Sequence, residues 1–258
     1  MGLNFSDIAY DNILRDDTPI YSGTTLAGRE PINATDWRDF STFDPGDTTT
    51  PRTFDVSCSS TRTATIFYLY TAVVPVSATV ALQYESAPSV FTTIATISPV
   101  AKGMNYANIS TSVAASRKLR LVISGTTAVG QLLVRQAFVG PKMTFTVGQW
   151  DGIAPHALSG GIVMENTISE NGSVLARNRR RVEKTGKISL EHLDPAWVRS
   201  TWEPFLVHAT RYMFFYRWAP TDYPTDIAFC AAEEIPTPTN MQPPPFMTAM
   251  LPYKCITS

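Results

Sequence analysis

Apolar and polar residues alternate with a period of two through most of the chain. Arg52 to Cys58 shows it most clearly: Phe54, Val56 and Cys58 fall on one side, and Thr53, Asp55 and Ser57 on the other, as a half-buried strand requires. The next run, 63–74, is β-branched and aromatic with no polar face, which predicts a central strand covered on both sides. Further strands are expected within 76–86, 89–98, 116–125 and 130–140, separated by Ala-Pro, Ser-Pro, Lys-Gly and Ser-Gly-Thr-Thr breaks. Short strands at this spacing predict an antiparallel β-sandwich of jelly-roll type from about Asp7 to Gly140. Residues 1–50, punctuated by Asp, Pro, Gly and Thr, predict a long excursion with short strands.

A boundary is expected near Pro141, giving one domain over 1–140 and a second over 141–258. The second opens with a strand at 143–150 and a glycine-proline loop at 151–161, then strands around turns at Asn171-Gly172 and Thr185-Gly186. Asp194-Pro195 marks a helix start, with Asp as N-cap and Pro at the first helical position. Val198, Trp202, Phe205, Leu206 and Ala209 then share one helical face over about 194–209, and Pro204 inside that pattern should kink or shorten the helix. Strands follow at 211–218, 226–232 and 246–256, with a stiff, proline-rich connection at 233–246 before the last. The fold class is therefore mainly β: a sandwich followed by a small β-barrel-like domain with one helix.

Composition narrows the function. Hydrophobic residues make up 44% and charged residues 17%, so the surface is rich in Ser, Thr and Asn or is buried against partners. A net charge of −1 argues against wrapping nucleic acid or docking on an anionic membrane. No apolar run approaches the roughly 18 residues that span a bilayer, and the N-terminus lacks the basic and apolar regions of a secretory signal. Its MGLNFS start matches the loose myristoylation pattern, which occurs often by chance. Cys58, Cys230 and Cys255 form no CxxC, which disfavours a zinc ribbon. A Cys230–Cys255 disulfide is possible, but three buried thiols in a reducing cytoplasm are the expectation.

No set of residues assembles a reaction centre. His156, His192 and His208 lack the i,i+4 spacing of a zinc protease, and GxSxG is absent. His208 sits where it would favour a helix dipole. Asp16-Asp17 and Glu233-Glu234 are adjacent, so on a strand they point to opposite faces and cannot flank a glycosidic bond. Arg177, Arg179, Arg180 and Arg181, with Lys184 and Lys187, form the one basic cluster: nucleic-acid contact is one reading, pairing with acidic groups of a neighbouring subunit the favoured one. Among Trp37, Trp150, Trp197, Trp202 and Trp218, the candidate for stacking on a sugar is Trp37, with Asp36 and Arg38 beside it. The Asn-x-Ser/Thr triplets at Asn33, Asn108 and Asn171 are expected by chance in such a chain. No cofactor or metal is expected.

Two layouts carry a resemblance. Val174 to Ser189, Asp194 to Ala209, Met213 to Trp218 and Ile227 to Ala231 follow the order of the compact β-domains of distal tail and minor tail proteins of long-tailed bacteriophages. The opening IAYDNIL, the NATDWRDF stretch and RTFDVSC are similar to the start of galactose-binding-type sandwiches attached to such proteins. In the usual distal tail protein the ring-forming β-domain comes first, so the order here is reversed, and a neighbouring tail-tip component is as compatible as the distal tail protein itself. The resemblance implies a virion structural protein, made in the host cytoplasm, that forms a hexameric or trimeric ring at the tail tip. Its partners would be itself, other tail-tip, tail-tube and tape-measure proteins, and a host-surface glycan. Subunit contacts are then expected on Arg177, Arg179, Arg181, Tyr212, Phe214, Tyr216 and Trp218. The alternative is a carbohydrate-binding module for host-surface glycan; a hydrolase comes last.

Overall fold

The structure is a computed structural model describing residues 5–38, 40–75, 77–98, 100–126, 132–149, 162–171, 173–181, 184–241 and 245–256. The chain is mainly β and divides into two compact units. The sandwich unit comprises Asp7–Thr144 with Tyr212–Phe215, and the second unit comprises Phe145–Arg211 and Tyr216–Thr257 together with Ser6.

In the sandwich unit the strands are β1 (Asp7–Ala9), β2 (Ile20–Tyr21), β3 (Arg52–Ser57), β4 (Arg62–Val73), β5 (Thr79–Ala87), β6 (Val90–Ile97), β7 (Gly103–Val113), β8 (Lys118–Ser124), β9 (Leu133–Gly140) and β10 (Met143–Thr144). The long N-terminal excursion holds only the short β1 and β2 and two 3₁₀ turns, Ile13–Arg15 and Pro31–Ala34. Five strands pair in the order β2-β3-β8-β5-β6 and three in the order β7-β4-β9, all antiparallel. Phe54, Val56 and Cys58 all point into the core, as their alternation requires, against Leu82 and Leu121 from the same sheet and Phe67, Leu69 and Val139 from the other. Each such side chain contributes roughly 1.5–3 kcal/mol of burial. β4 is central, and its register breaks at Tyr70/Thr71, where Arg135 of β9 is bulged out.

β7 has no counterpart in the sequence reading. Its outward positions are Asn and Ser, and its buried Asn105 reads as a loop residue. The structure explains Asn105: its Nδ2 donates to the carbonyls of Leu69, Ala101 and Gly103, and its Oδ1 accepts from Ala101 N at 2.8 Å. Together with the Thr71 hydroxyl, which donates to the carbonyls of Ala101 and Gly103, the side chain satisfies the backbone of the turn before β7.

The second unit contains β11 (Ile162–Ile168), β12 (Val174–Arg181), β13 (Lys184–Leu193), the end of β14 (Phe214–Arg217), β15 (Ile227–Ala232), β16 (Thr239–Asn240) and β17 (Met247–Ile256). Its sheet runs β14-β15-β17-β13, with β16 added to β17. Among the described residues the pairing beyond β13 is limited to the bridge from Gln149 to Leu190, and the expected barrel is not closed. Thr185-Gly186 is no turn but lies inside β13 opposite Lys254 and Tyr253. A Cβ on Gly186 would collide with the Tyr253 ring, so this glycine lets an aromatic side chain lie flat across the neighbouring strand.

Asp194 caps the helix, its Oδ1 accepting from Ala196 N at 2.7 Å with Pro195 next. Pro204 does not stop it. α1 (Pro195–Trp197) widens into a π turn at Val198–Trp202 and continues as α2 (Glu203–Ala209). The π turn closes with Glu203 N–H on Val198 O, and the proline that follows, lacking an N–H, starts the next segment where none is needed. Val198, Trp202, Phe205, Leu206 and Ala209 are all buried. Trp202 lies edge-on to Phe145 and Phe205, and Phe145 in turn stacks on Tyr216.

Candidate binding site

Trp37 begins with the conformation of its own backbone. Its φ is 63°, a left-handed value rare for a bulky residue, and its N–H donates to Oε1 of Gln136 at 3.3 Å. That twist turns the indole inward, over the outer face of the three-stranded sheet. There it packs on Phe138 at 5.8 Å and Phe215 at 6.1 Å, with Tyr68 stacked on Phe215 at 4.6 Å. At 4% exposure Trp37 has no face to give a sugar, which corrects the expectation placed on it.

The same loop presents a different ring. Phe40 is 78% exposed, and the Arg38 guanidinium lies over it at 5.9 Å. Asp36 holds the loop: its carboxylate accepts from Arg38 N at 3.0 Å and from the Ser41 hydroxyl at 2.8 Å on both oxygens. A ring this exposed, beside a guanidinium, can stack on a pyranose while the guanidinium bonds its hydroxyls. The signal in the sequence for Phe40 is its place among Asp36, Arg38, Ser41 and Thr42, where no alternation would bury it.

The outer face of the five-stranded sheet carries a second polar and aromatic group. Arg120 makes two 2.7 Å bonds to the Asp55 carboxylate, and its guanidinium lies 3.5 Å over the Phe91 ring. Both partners of Arg120 are thereby engaged, and the group reads as a clasp across the sheet rather than an open site.

The expected subunit contacts divide. Phe214 and Tyr216 are fully buried, so neither can meet a neighbouring subunit; all four residues of β14 are buried, Arg217 included. Tyr212 precedes the strand, is 39% exposed, and lies under the Arg15 guanidinium at 4.6 Å. Trp218 is half-buried, stacked on exposed Tyr223 at 5.3 Å, with its Nε1 donating to Asp226. Arg177, Arg179, Arg180 and Arg181 lie on β12, paired with β11, and their side chains fall outside the described residues. Trp150 and His156 lie outside them altogether.

The acidic pairs have structural partners. Asp16 and Asp11 take the Arg62 guanidinium at 3.1 and 2.5 Å, and Asp17 accepts from Thr18 N. Burial raises the Asp16 carboxyl, and Arg62 offsets part of that rise. Glu233 pairs with Lys254 at 3.4 Å. His192 contacts the edge of Phe246, and His208 sits in the last turn of α2. Among the described residues no group of three or more His, Cys, Asp or Glu could hold a metal ion, and no helix is long and apolar enough to cross a membrane.

No protein-family model matches the chain, and no curated protein matches it. Solved structures do show likeness. Chitosan-binding module 1 of a chitosanase/glucanase from Paenibacillus sp. IK-5 has 20% identity and a TM-score of 0.42, covering 51% of this chain and 99% of that one. A CBM32 module from a family 31 glycoside hydrolase of Clostridium perfringens has 16% identity and a TM-score of 0.40, covering 51% and 99%. Another Clostridium perfringens CBM32 module, in complex with GalNAc-β-1,3-galactose, has 12% identity and a TM-score of 0.40, covering 50% and 98%. At these values neither ligand nor role passes from those modules to this chain.

Proposed function

We propose that the chain is a non-catalytic binding protein whose sandwich unit recognises a glycan through the loop carrying Asp36, Arg38 and Phe40. The observation behind this reading is the Phe40 ring, 78% exposed and braced by a loop whose Asp36 carboxylate accepts from Arg38 N and from the Ser41 hydroxyl. Leaving so large an apolar face in water is unfavourable, and a sugar face covers it while keeping its hydroxyls wet. Chitosan oligomers and GalNAc-β-1,3-galactose, named for the similar modules, are the first probes. Phe40→Ala should weaken binding about tenfold, equivalent to about 1.4 kcal/mol, with thermal stability unchanged. Binding that is unaltered by Phe40→Ala and by Arg38→Ala would remove this loop from the site.

A second reading, assembly, is favoured by the β11–β12 hairpin. Its strands pair with each other and, among the described residues, with no other strand. Ile168 and Leu175 near its turn are 60% and 68% exposed. An isolated two-stranded hairpin is at best marginally stable in water, so a partner that covers these residues would stabilise it. In the tail-tip setting that the layout resembles, copies of the chain would close a hexameric or trimeric ring in the virion, beside tail-tube and tape-measure proteins. Light scattering over a wide concentration range tests this: a rising mass that Leu175→Asp abolishes supports assembly, and a concentration-independent monomer opposes self-assembly.

A further inference from the structure

Cys230 and Cys255 stand directly opposite each other on the antiparallel strands β15 and β17. The kind of pair they form follows from the ladder. Three steps along, Glu233 N–H donates to Pro252 O at 3.0 Å, which makes Glu233 and Pro252 a hydrogen-bonded pair. The register runs without a shift through Ala232–Tyr253, Ala231–Lys254 and Cys230–Cys255. Hydrogen-bonded and non-hydrogen-bonded pairs alternate, so Cys230–Cys255 is of the non-hydrogen-bonded kind, in which Cα atoms approach to about 4.5 Å. That separation lies inside the roughly 4.4–6.8 Å window of disulfides, and opposite residues project to the same face. The two thiols are hydrogen-bonded to one another, and burial followed by Cys255 raises the Cys230 thiol. Both residues are buried and reduced in the structure, as is Cys58, which lies in the other unit with no cysteine opposite.

We propose that Cys230 and Cys255 are a dithiol site that a small disulfide such as oxidised glutathione converts to a cross-strand disulfide, locking β17 to β15. A thiolate of the pair attacks one sulfur of the small disulfide, expelling one glutathione thiolate and leaving a mixed disulfide. The second cysteine, as thiolate, then attacks the protein sulfur and expels the other glutathione. Two thiols are oxidised, one disulfide is reduced to two thiols, and the two protons pass to the departing thiolates. The raised thiol makes this slow in the folded, reduced chain, and the staple forms when β17 opens or as the chain folds in an oxidising medium. Once closed, it confines the whole proline-rich segment between the two strands, which reduces the freedom of the unfolded second unit.

The experiment is to refold the full chain from denaturant in a glutathione redox buffer, so that burial does not limit access, and to map the quenched thiols by mass spectrometry. The expected product is lighter by two hydrogens, has a Cys230–Cys255 linkage and a free Cys58, and melts roughly 5–10 °C higher than the reduced chain. Cys58→Ala should behave identically, and Cys255→Ala should lose both the linkage and the shift. Three free thiols after refolding, a linkage through Cys58, or disulfides between chains would each overturn the proposal.

Discussion

In the sandwich unit two sheets close on each other around aliphatic side chains such as Leu69, Leu82 and Leu121 and the rings of Phe43, Phe54 and Phe67, whereas the second unit buries the helix residues Trp202 and Phe205 along with aliphatic side chains such as Ile188, Leu190 and Leu251. There Trp202 meets Phe145 and Phe205, Phe145 stacks on Tyr216, and Tyr216 meets Tyr253. The two also differ in how the chain between strands is held. Buried polar side chains stitch the loops of the sandwich: Asn12 bridges Ala137 O and Val139 N, Asn105 binds three carbonyls, and Thr48 and Thr126 share a 2.6 Å hydroxyl contact. The second unit instead leaves a hairpin attached to no other strand among the described residues. In both units a single fully buried ring carries much of the packing around it, so its removal should register in its own unit.

The largest effect should come from the rings. Trp202→Ala empties the centre of the helix face, and removing a fully buried tryptophan costs about 3–5 kcal/mol. Calorimetry should show the transition of the second unit falling while that of the sandwich unit holds. A uniform shift of a single transition would break the comparison by showing that the units unfold as one. Next in size is Asn105→Ala, in the other unit. The Ala101 N–H loses its acceptor, while the carbonyls of Ala101 and Gly103 keep the Thr71 hydroxyl, and the loss of about 1–3 kcal/mol should appear in the sandwich transition. Amide exchange at Ala101 should rise with it, because that N–H donates to Asn105 Oδ1.

What could be read in the sequence follows the same division. Alternation at 52–58 and the apolar run at 63–74 identify strands whose burial the structure repeats, because a two-sheet core imposes period two on every strand. The helix cap at Asp194 and the five buried positions after it were equally visible, since capping and helical periodicity are local. β7 was invisible because it is held by a polar side chain, and the alternation test sees only apolar ones. Gly186 misled for a related reason: the demand for glycine comes from Tyr253 on another strand, far away in sequence. In the candidate site, the loop was legible from its mixture of aromatic and charged residues. Which ring faces water was not, because that depends on the left-handed Trp37 backbone and its contact to Gln136.

A smaller effect tests whether the sandwich surface is tied as its interior is. Arg120→Ala removes both bonds to Asp55 and uncovers Phe91. Because the pair is partly exposed, the expected loss is about 1 kcal/mol, and it should shrink in high salt. Urea denaturation at low and high ionic strength measures both. A loss several times larger would make the five-stranded face as important to the unit as its core.

The smallest effect concerns pH. Glu85 closes the turn between β5 and β6, where Ser89 sits at a left-handed φ of 62°. One carboxylate oxygen accepts from Ser89 N at 2.7 Å and the other from Lys118 N at 3.1 Å. The hydrogen bond from Ser89 is the main reason the Glu85 carboxyl is held below its ordinary value, with Lys118 N and the charges of Arg117 and Lys118 adding to it. A carboxyl lowered in the folded state stabilises it above the unfolded value and loses that contribution as pH falls through the folded one. Glu85→Gln should therefore lower stability slightly at neutral pH, by no more than about 0.5 kcal/mol for so exposed a group. Its stability should converge with that of the parent as pH falls through the lowered value of the folded state. Melting temperatures from pH 3 to 7 would show parallel curves if the turn were held by backbone alone, and converging curves if the surface of the sandwich is tied, like its interior, by side chains that bond the main chain.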